Sequence, residues 1–321
     1  MELGECLPMT AEVIDGHLHI GGVDMVKVAE EFGTALYVYD QADLENRMET
    51  YRDAFASRYP NSDVIYASKA FLNKAVCRLV NAHSLCLDVS GGGELALAQA
   101  VDFPMERVFV HGNNKTPQEL REAIAAGVGR IVVDSRIEAR RVSEIAGALG
   151  KTQDIYMRIT PGVEADTHEY IRTGCEDSKF GFTMREDFAF KCVGDVLAAE
   201  NVRLVGLHCH IGSQIFDKAP FVLAAQVMLK FYNKIHTELG KTLTHLNLGG
   251  GFGVKYKEAD AAVPYEDYMS DVSEAVHAAC KEYGIQVPYI YIEPGRSIVC
   301  EAGLTLYTVC LLYTSDAADE L

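Results

Sequence analysis

One lysine stands where an amine could carry out chemistry. Lys69 follows the apolar run 64–67, which has the composition of a buried β-strand. At the carboxyl end of such a strand an amine can be partly desolvated, and a desolvated lysine can form a Schiff base with a carbonyl group. A single lysine is more often a solvated surface charge. The hypothesis therefore depends on the residues that follow the other apolar runs.

Polar residues and glycines follow most of those runs. Asp88 lies at the end of the second run, His111 ends the third, and Arg158 ends the fifth. With Lys69, the residues that we expect to form one site are Asp88, Arg158, His210, Ser213, Gly250, Gly251, Glu293, Gly295 and Arg296. In a barrel of parallel strands the carboxyl ends meet at one face, and active sites lie at that face.

Two glycine-containing segments could bind an anion. The triplet 249–251 would let backbone amides approach a phosphate, and Gly295 with Arg296 adds another amide and a forked cation. A glycine triplet alone could equally be a loose turn. Phosphate sites near the last two strands are nevertheless common in barrels, so the pairing of the two segments favours phosphate binding.

A lysine amine, a phosphate cradle and a carboxylate together suit pyridoxal phosphate. This cofactor needs a lysine for its carbonyl carbon, an anchor for its phosphate and a partner for its ring nitrogen. Glu293 would keep the ring nitrogen protonated, which makes the ring an electron sink, and His210 could stack on one ring face. A single histidine at such a place is as often an ordinary core residue.

Eight apolar runs alternate with helical patterns and must position these side chains. The runs are 64–67, 85–89, 108–111, 131–134, 155–158, 204–208, 246–248 and 289–293, and the helical patterns are 72–82, 94–101, 116–127, 136–149, 185–200, 218–239 and 265–283. Thr116 and Glu119 predict a capping box at the start of the third helix. The alternation predicts the α/β class and favours a (β/α)8 TIM-like barrel over an open doubly wound sheet.

The two ends of the chain predict a second, β-rich unit. A hairpin-like segment at 13–21 precedes the barrel, and apolar β patterns at 298–300 and 304–309 follow it. We therefore divide the chain into an N-terminal β part (1–36), a cofactor-binding barrel (37–296), the start of a C-terminal β domain (297–309) and a tail (310–321).

Composition excludes several classes of protein. The chain has 321 residues and a net charge of −17, from 29 basic and 46 acidic side chains. Such an acidic chain is a poor partner for nucleic acid or an anionic membrane surface. The 9 cysteines are scattered without a CxxC pair, and residues 1–10 lack the basic start of a signal peptide. We expect a cytoplasmic protein with reduced thiols.

The motifs that contain these residues resemble the fold-type III pyridoxal-phosphate decarboxylases, whose barrel and β domain are shared with alanine racemase. The matching segments are 66–71, 88–94, 111–115, 167–174, 177–181, 208–214, 247–252 and 293–296. They follow the order of the family over about three quarters of the chain. The segments 167–174 and 208–214 favour the diaminopimelate branch over the ornithine and arginine branches.

The resemblance implies a role for each strand-end residue. It implies that Lys69 carries the cofactor, His210 stacks on its ring, and Glu293 binds the ring nitrogen. It places Ser213, Gly250, Gly251, Gly295 and Arg296 around the phosphate, with Arg296 also near a substrate carboxylate, and puts Asp88 and Arg158 in the pocket wall. The implied catalytic residues are Lys69, His210 and Glu293.

The resemblance also implies a reaction and a partner. The expected reaction converts meso-2,6-diaminopimelate to L-lysine and carbon dioxide, a step of lysine biosynthesis. Members of the family are homodimers with shared active sites, so the expected partners are an amino-acid substrate and a second copy of the protein. Lys179 is the residue that we expect near the dimer interface.

The chain departs from the family pattern after the barrel. The family's β domain supplies a proton-donor cysteine and contacts to the distal end of the substrate, and Cys300 and Cys310 lie too early to match it. We interpret 310–321 as a non-native tail and expect the chain to be C-terminally truncated. On that interpretation the 321-residue chain lacks decarboxylase activity.

Three other interpretations stay open at this point. One is another fold-type III amino-acid decarboxylase, of the ornithine, arginine or carboxynorspermidine type. Another is a non-catalytic homologue, although such a protein would be expected to have lost the cofactor ligands. The third is a metal-dependent hydrolase, because 17–19 and 208–210 are both HxH pairs. That interpretation would leave Lys69 and the phosphate cradle without a role.

Overall fold

The computed structural model describes residues 6–163, 179–257 and 259–311. Within them, eight parallel strands close into a barrel, because β8 pairs with β9 and completes the ring. The barrel strands are β5 (Ser62–Ala67), β6 (Cys86–Val89), β7 (Val108–Val110), β8 (Arg130–Val133), β9 (Gln153–Thr160), β11 (Val202–His208), β12 (His245–Asn247) and β13 (Tyr289–Ile292). All eight predicted runs and the (β/α)8 barrel are confirmed.

Helices lie between most of the barrel strands. They are α2 (Gln41–Ala56), α3 (Lys74–Ala82), α4 (Gly92–Gln99), α5 (Pro117–Ala126), α6 (Arg136–Ala148), α7 (Phe188–Leu197), α8 (Ala219–Leu239) and α9 (Tyr265–Tyr283). The capping box of α5 is confirmed, since the Thr116 side chain accepts from the Glu119 amide while the Glu119 side chain accepts from Thr116. The predicted helix 185–200 begins only at Phe188, after a short 3-10 turn.

The chain ends form two small sheets outside the barrel. Strands β1 (Glu12–Ile14), β2 (His17–Ile20) and β3 (Val23–Asp24) are antiparallel and lead into helix α1 (Met25–Phe32). Strand β4 (Leu36–Tyr39) then pairs in antiparallel fashion with β14 (Gly303–Leu306). Residues from both ends of the chain thus share one sheet, and the short β10 (Phe182–Thr183) extends β9.

The prediction of a β segment at 298–300 is wrong. Residues Arg296–Val299 form the short helix α10, with the Val299 amide donating to the Gly295 carbonyl at 3.3 Å. Ile298 and Val299 are buried, at 0% and 5% exposure. β-branched residues favour strands, but burial against the barrel outweighs that local preference here.

The barrel interior has one apolar layer that lies below the site. Its members are Ile65, Cys86, Phe109, Val132, Tyr156, Val205 and Tyr291. Side chains in a strand repeat on one face every two residues. Four site residues lie two positions after a member of the layer: Asp88 after Cys86, His111 after Phe109, Arg158 after Tyr156, and Glu293 after Tyr291. The strand period therefore directs all four toward the barrel axis.

Across the described ranges, none of the helices combines the length and the apolar character that spanning a bilayer requires.

Candidate active site

A cavity of about 620 Å³ opens at the carboxyl ends of the barrel strands. Seven of the ten predicted site residues line it: Lys69, His210, Ser213, Gly251, Glu293, Gly295 and Arg296. The opposite wall comes from both chain ends, through Tyr37, Tyr39, Cys300 and Leu304. The structure thus brings together residues that are separated by more than 200 positions in the sequence.

Lys69 lies on a short 3-10 helix, Ser68–Ala70, directly after β5. The strand end is fixed by the Ala67 amide, which donates to the Pro294 carbonyl at 3.0 Å. The sequence led us to expect a partly desolvated amine, but Lys69 is exposed because the cavity is open beside it. Its amine is accessible to a carbonyl group that enters the cavity.

Glu293 is held by three side chains from three other strands. Asn247 Nδ2 donates to Glu293 Oε1 at 2.7 Å, and His111 Nε2 lies 2.9 Å from the same oxygen. His208 Nε2 lies 3.1 Å from Oε2. All four side chains are buried. Sequence reasoning placed His111 and His208 at strand ends and gave His208 a role only in the metal-hydrolase alternative. It gave no role to His111 or Asn247.

The charges in this cluster follow from burial and from these contacts. Burial alone would raise the pKa of Glu293, but His111 and His208 outweigh it and hold that pKa well below the usual range. Burial lowers the pKa of His208 to about 4 despite the nearby carboxylate. Burial also opposes the charge on His111, yet Asp88 and Glu293 raise its pKa. Glu293 is therefore ionised, and His208 is neutral, at neutral pH.

Asp88 and Arg158 are not among the residues that line the cavity. Both were expected in the pocket wall, but both are buried in the barrel, at 3% and 8% exposure. Asp88 lies within β6 and Arg158 within β9, and the Arg158 guanidinium stacks 4.4 Å from the Phe180 ring centroid. They lie inside the strands, whereas the seven predicted site residues that line the cavity follow strand ends. Their roles in cofactor binding remain predictions.

The buried Asp88 carboxyl should make the free energy of unfolding depend on pH. Burial raises the pKa of its carboxyl to about 6, so the folded protein retains the proton more strongly than the unfolded chain. The wild type should lose stability as the pH rises from about 4 to 6, whereas Asp88→Asn cannot ionise. Above pH 6 the variant should be more stable by about 2–3 kcal/mol. Urea unfolding of cofactor-free protein between pH 4 and 8 measures this, and a difference independent of pH would contradict it.

His210 lies half-buried beside the glycine triplet. Gly250 donates its amide to His210 Nδ1 at 3.4 Å. Burial and the charges of Lys69 and Arg158 lower the pKa of His210 well below its ordinary value. The imidazole is therefore neutral at neutral pH. An uncharged, flat ring at the cavity wall suits a contact with another aromatic ring.

Three glycines of the predicted phosphate site, Gly250, Gly251 and Gly295, lie so close to neighbouring backbone that a side chain would not fit. A Cβ atom at Gly250 would lie 1.9 Å from the Glu293 carbonyl oxygen, and one at Gly295 would lie 2.9 Å from the Ala67 carbonyl oxygen. Gly251 has φ +114° and would meet the Gly212 carbonyl oxygen at 2.2 Å. Gly251 and Gly295 line the cavity, whereas Gly250 does not, and at all three positions a side chain would collide with neighbouring backbone.

Gly250→Ala should disturb the backbone at Glu293, which lines the cavity. The new methyl group would displace the Glu293 backbone, and we expect a loss of about 1–3 kcal/mol in the free energy of unfolding. Gly93→Ala is the matched control, because no atom lies within 4 Å of its Cβ position in α4. Alanine should stabilise that exposed helical site by about 0.5–1 kcal/mol. Urea denaturation of both variants is the measurement, and similar changes in the two would contradict the argument.

Arg296 is oriented by a tyrosine that sequence reasoning missed. Arg296 Nη1 donates to the Tyr256 hydroxyl, and the Arg296 guanidinium carbon lies 5.8 Å from the Tyr256 ring centroid. Tyr256 lies in the loop after the glycine triplet and also lines the cavity. No pattern in the sequence marks this loop residue, because its position depends on how the loop folds over α10.

The two HxH pairs do not form a joint metal site in the described part of the chain. His17 and His19 lie in β2 of the N-terminal sheet, where His17 Nδ1 contacts Asp24 Oδ2 at 2.9 Å. The group of side chains close enough to share a metal ion is His111, His208 and Glu293. It contains neither His17 nor His19, nor His210. The metal-hydrolase interpretation therefore has no support in this geometry.

Comparison with known proteins identifies the class of protein to which this fold and this site belong. Residues 41–300 match the model of the pyridoxal-binding domain of pyridoxal-dependent decarboxylases. The chain belongs to this family, and its barrel is the pyridoxal-binding domain.

Within this family, several proteins similar to the chain are diaminopimelate decarboxylases. The chain is 47% identical to diaminopimelate decarboxylase of Bacillus subtilis over 294 residues, covering 92% of this chain and 67% of that protein. It is 42% identical to the Corynebacterium efficiens enzyme of the same name, covering 95% and 66%. The structure of M. jannaschii diaminopimelate decarboxylase with L-lysine matches with a TM-score of 0.84 at 34% identity, covering 92% and 69%.

The chain covers only part of the length of each of these relatives. It spans about two thirds of the length of these curated relatives. The segment 167–174 and residues 177–178, which contributed to the resemblance, lie outside the described residues. So does the tail 310–321, except for Cys310 and Leu311.

Proposed function

We propose that this chain provides the cofactor-binding part of a carboxy-lyase that decarboxylates meso-2,6-diaminopimelate to L-lysine. The observation that carries the proposal is the cavity in which the Lys69 amine, the Glu293 carboxylate and the Arg296 guanidinium come together. The choice of substrate is supported by the diaminopimelate decarboxylases to which the chain is similar.

The residues present fit pyridoxal phosphate. Lys69 would attach the cofactor covalently, and the ionised Glu293 would bind its ring nitrogen. Ser213, Gly250, Gly251, Gly295 and Arg296 would surround the phosphate, and His210 would lie against the ring. When bound, the cofactor supplies an electron sink for the carbon that loses carbon dioxide.

The remaining site residues would act on the substrate or on the site itself. Arg296 would also contact a substrate carboxylate, with the Tyr256 hydroxyl fixing its guanidinium. The Lys69 amine would move a proton within the cavity that it lines. Asp88 and Arg158 would set the charge beneath the cavity, since both influence the pKa values of its histidines.

We further propose that the protein acts as a homodimer in the cytoplasm. Tyr37, which lines the cavity, is 75% exposed, and Tyr307, directly after β14, is 73% exposed, which supports a partner surface on the β4–β14 sheet. Lys179, exposed beside the Phe180 ring, is a candidate for that interface. The described cysteines are free thiols, which suits a reducing compartment.

Turnover can be tested in a chimera, because the chain spans about two thirds of its relatives' length. Residues 1–309 would be followed by the C-terminal third of the Bacillus subtilis relative. We expect the chimera, loaded with pyridoxal phosphate, to release carbon dioxide from meso-2,6-diaminopimelate and to form L-lysine. Release from ornithine or arginine instead would favour another decarboxylase branch. A folded, loaded chimera that acts on none of the three would favour a non-catalytic homologue.

A further inference from the structure

The contacts of His111 distinguish it from the other histidines of the site. It directly follows β7, and its amide is fixed by the Val89 carbonyl at 2.8 Å. Its Nε2 lies 2.9 Å from Glu293 Oε1, and its ring lies edge-on to His208 with centroids 4.9 Å apart. His111 does not line the cavity among the described residues. Its contact with Glu293, which does line the cavity, connects it to a bound molecule.

Contacts with nitrogen atoms already surround both oxygens of Glu293. Asn247 donates a hydrogen bond to Oε1, and His208 Nε2 is within hydrogen-bond distance of Oε2. His111 Nε2 lies 2.9 Å from Oε1 as an ion-pair contact without hydrogen-bond geometry. A metal ion would have to replace these contacts. The geometry is that of a buried carboxylate stabilised in its charged form by surrounding donors.

The two histidines around Glu293 are not equivalent. His111 faces the carboxylates Asp88 and Glu293, whose charges favour its protonated form, while Arg158 on β9 opposes it. His208 faces Glu293 but also His111 and Arg158. Two imidazolium rings 4.9 Å apart would repel each other, so only one of them carries charge readily. Asp88, on the neighbouring strand β6, favours the charge on His111.

We propose that His111 is a positioning residue that keeps Glu293 ionised and fixed, so that the carboxylate can bind a protonated ring nitrogen. This inference rests on the proposed function. It assigns to His111 the task of setting how strongly the site prefers a cofactor that has that nitrogen. His208 and Asn247 hold the same carboxylate in place, but His111 supplies the opposing charge.

The test compares pyridoxal phosphate with its 1-deaza analogue, in which a CH group replaces the ring nitrogen. Dissociation constants of both are measured at pH 7.5 for the 321-residue wild type and for three variants, His111→Leu, His111→Gln and His245→Leu. His245 is the matched control, because it lies at the opposite end of the barrel, 6.0 Å from the Tyr291 ring centroid. The readout is the ratio of the two constants, which needs no turnover.

We expect the wild type to bind pyridoxal phosphate at least tenfold more tightly than the analogue. His111→Leu should lower this preference about tenfold, since it removes the opposing charge 2.9 Å from the carboxylate. His111→Gln, which retains an N–H donor without the charge, should recover part of it, and His245→Leu should leave it unchanged. An unchanged preference in folded His111→Leu would overturn the inference, as would an equal loss in His245→Leu.

The two proposals fail in different ways. A wild type that binds neither ligand would overturn the proposed function and this inference with it. Binding of both ligands with equal strength, with pyridoxal phosphate attached to Lys69, would leave the cofactor assignment intact and overturn only the role of His111.

A second measurement covers the case in which His111→Leu does not fold. Nitrogen NMR of the imidazole rings follows the protonation of each histidine in the wild type without added cofactor. We expect His111 to titrate above the ordinary midpoint of about 6.5, whereas His208 should titrate near 4. A His111 midpoint at or below about 6.5 would overturn the inference.

Discussion

Replacing Lys69 with alanine is expected to abolish covalent attachment of pyridoxal phosphate. After incubation with the cofactor and reduction with borohydride, the wild type should carry a pyridoxyl group on Lys69 alone, and Lys69→Ala should carry none. In the chimera, loss of the amine should lower turnover by at least about 10²–10⁴-fold, the contribution of a positioned proton-transfer group. Mass spectrometry of the modified peptide and release of carbon dioxide are the measurements.

Lys74→Ala is the matched control for this experiment. Lys74 begins α3 only five positions later, is exposed, and does not line the cavity. Its replacement should leave the adduct and the turnover unchanged. A pyridoxyl group that appears on other lysines as readily as on Lys69 would show that the reaction is not specific to the cavity. The assignment of the cofactor lysine would then be wrong.

The barrel could be predicted from the sequence because each of its strands has a local signal. Near-continuous apolar runs such as 64–67 and 289–293, which alternate with helical patterns, are typical of parallel strands that are buried on both faces. Local patterns failed where packing between distant segments decided the outcome. Ile298 and Val299 are β-branched residues, yet they form a helix because α10 buries them against the barrel.

The site could be predicted only for residues whose types are chemically distinctive. Lys69, Glu293 and Arg296 stand out by type and position, and they do line one cavity. The contacts of His111 and Asn247 with Glu293 depend on the strand order, because β12 pairs directly with β13 while barrel curvature brings the end of β7 to Glu293 from three strands away. The two-residue spacing of His111 from Phe109 was the available signal, but it becomes informative only once Phe109 is known to face the interior.

Lys115→Met should have the largest effect on stability. Lys115 Nζ lies 2.5 Å from Glu138 Oε1, and the two side chains are only 3% and 9% exposed. Removing one partner leaves a buried charge without compensation, and such changes lower the free energy of unfolding by about 3–5 kcal/mol. The Lys115→Met/Glu138→Leu double variant should be more stable than Lys115→Met, because no uncompensated charge remains. Urea denaturation at pH 7.5 measures all three proteins.

The Lys115–Glu138 pair also joins the loop after β7 to the start of α6. His111 begins that loop, so the ion pair helps to hold a residue of the site. Lys115 donates to the Gly112 carbonyl, next to His111, and Glu138 Oε2 accepts from the Asp134 amide at 2.9 Å. Loosening the loop should therefore also weaken the preference for the cofactor's ring nitrogen. If Lys115→Met lowered stability while that preference stayed at the wild-type value, the loop would be held independently of the ion pair.

The dependence of the Lys115→Met effect on pH separates lost charge from lost packing. Burial already raises the pKa of Glu138 although Lys115 opposes it, so removing Lys115 should raise it further. The variant then retains a proton on Glu138 in the folded state, and its stability falls as the pH rises through the raised pKa. The difference from the wild type should be largest at neutral pH and shrink toward pH 5. Lys218→Met, in the exposed pair of Lys218 with Asp271, should show no such dependence, and a pH-independent loss in Lys115→Met would indicate packing instead.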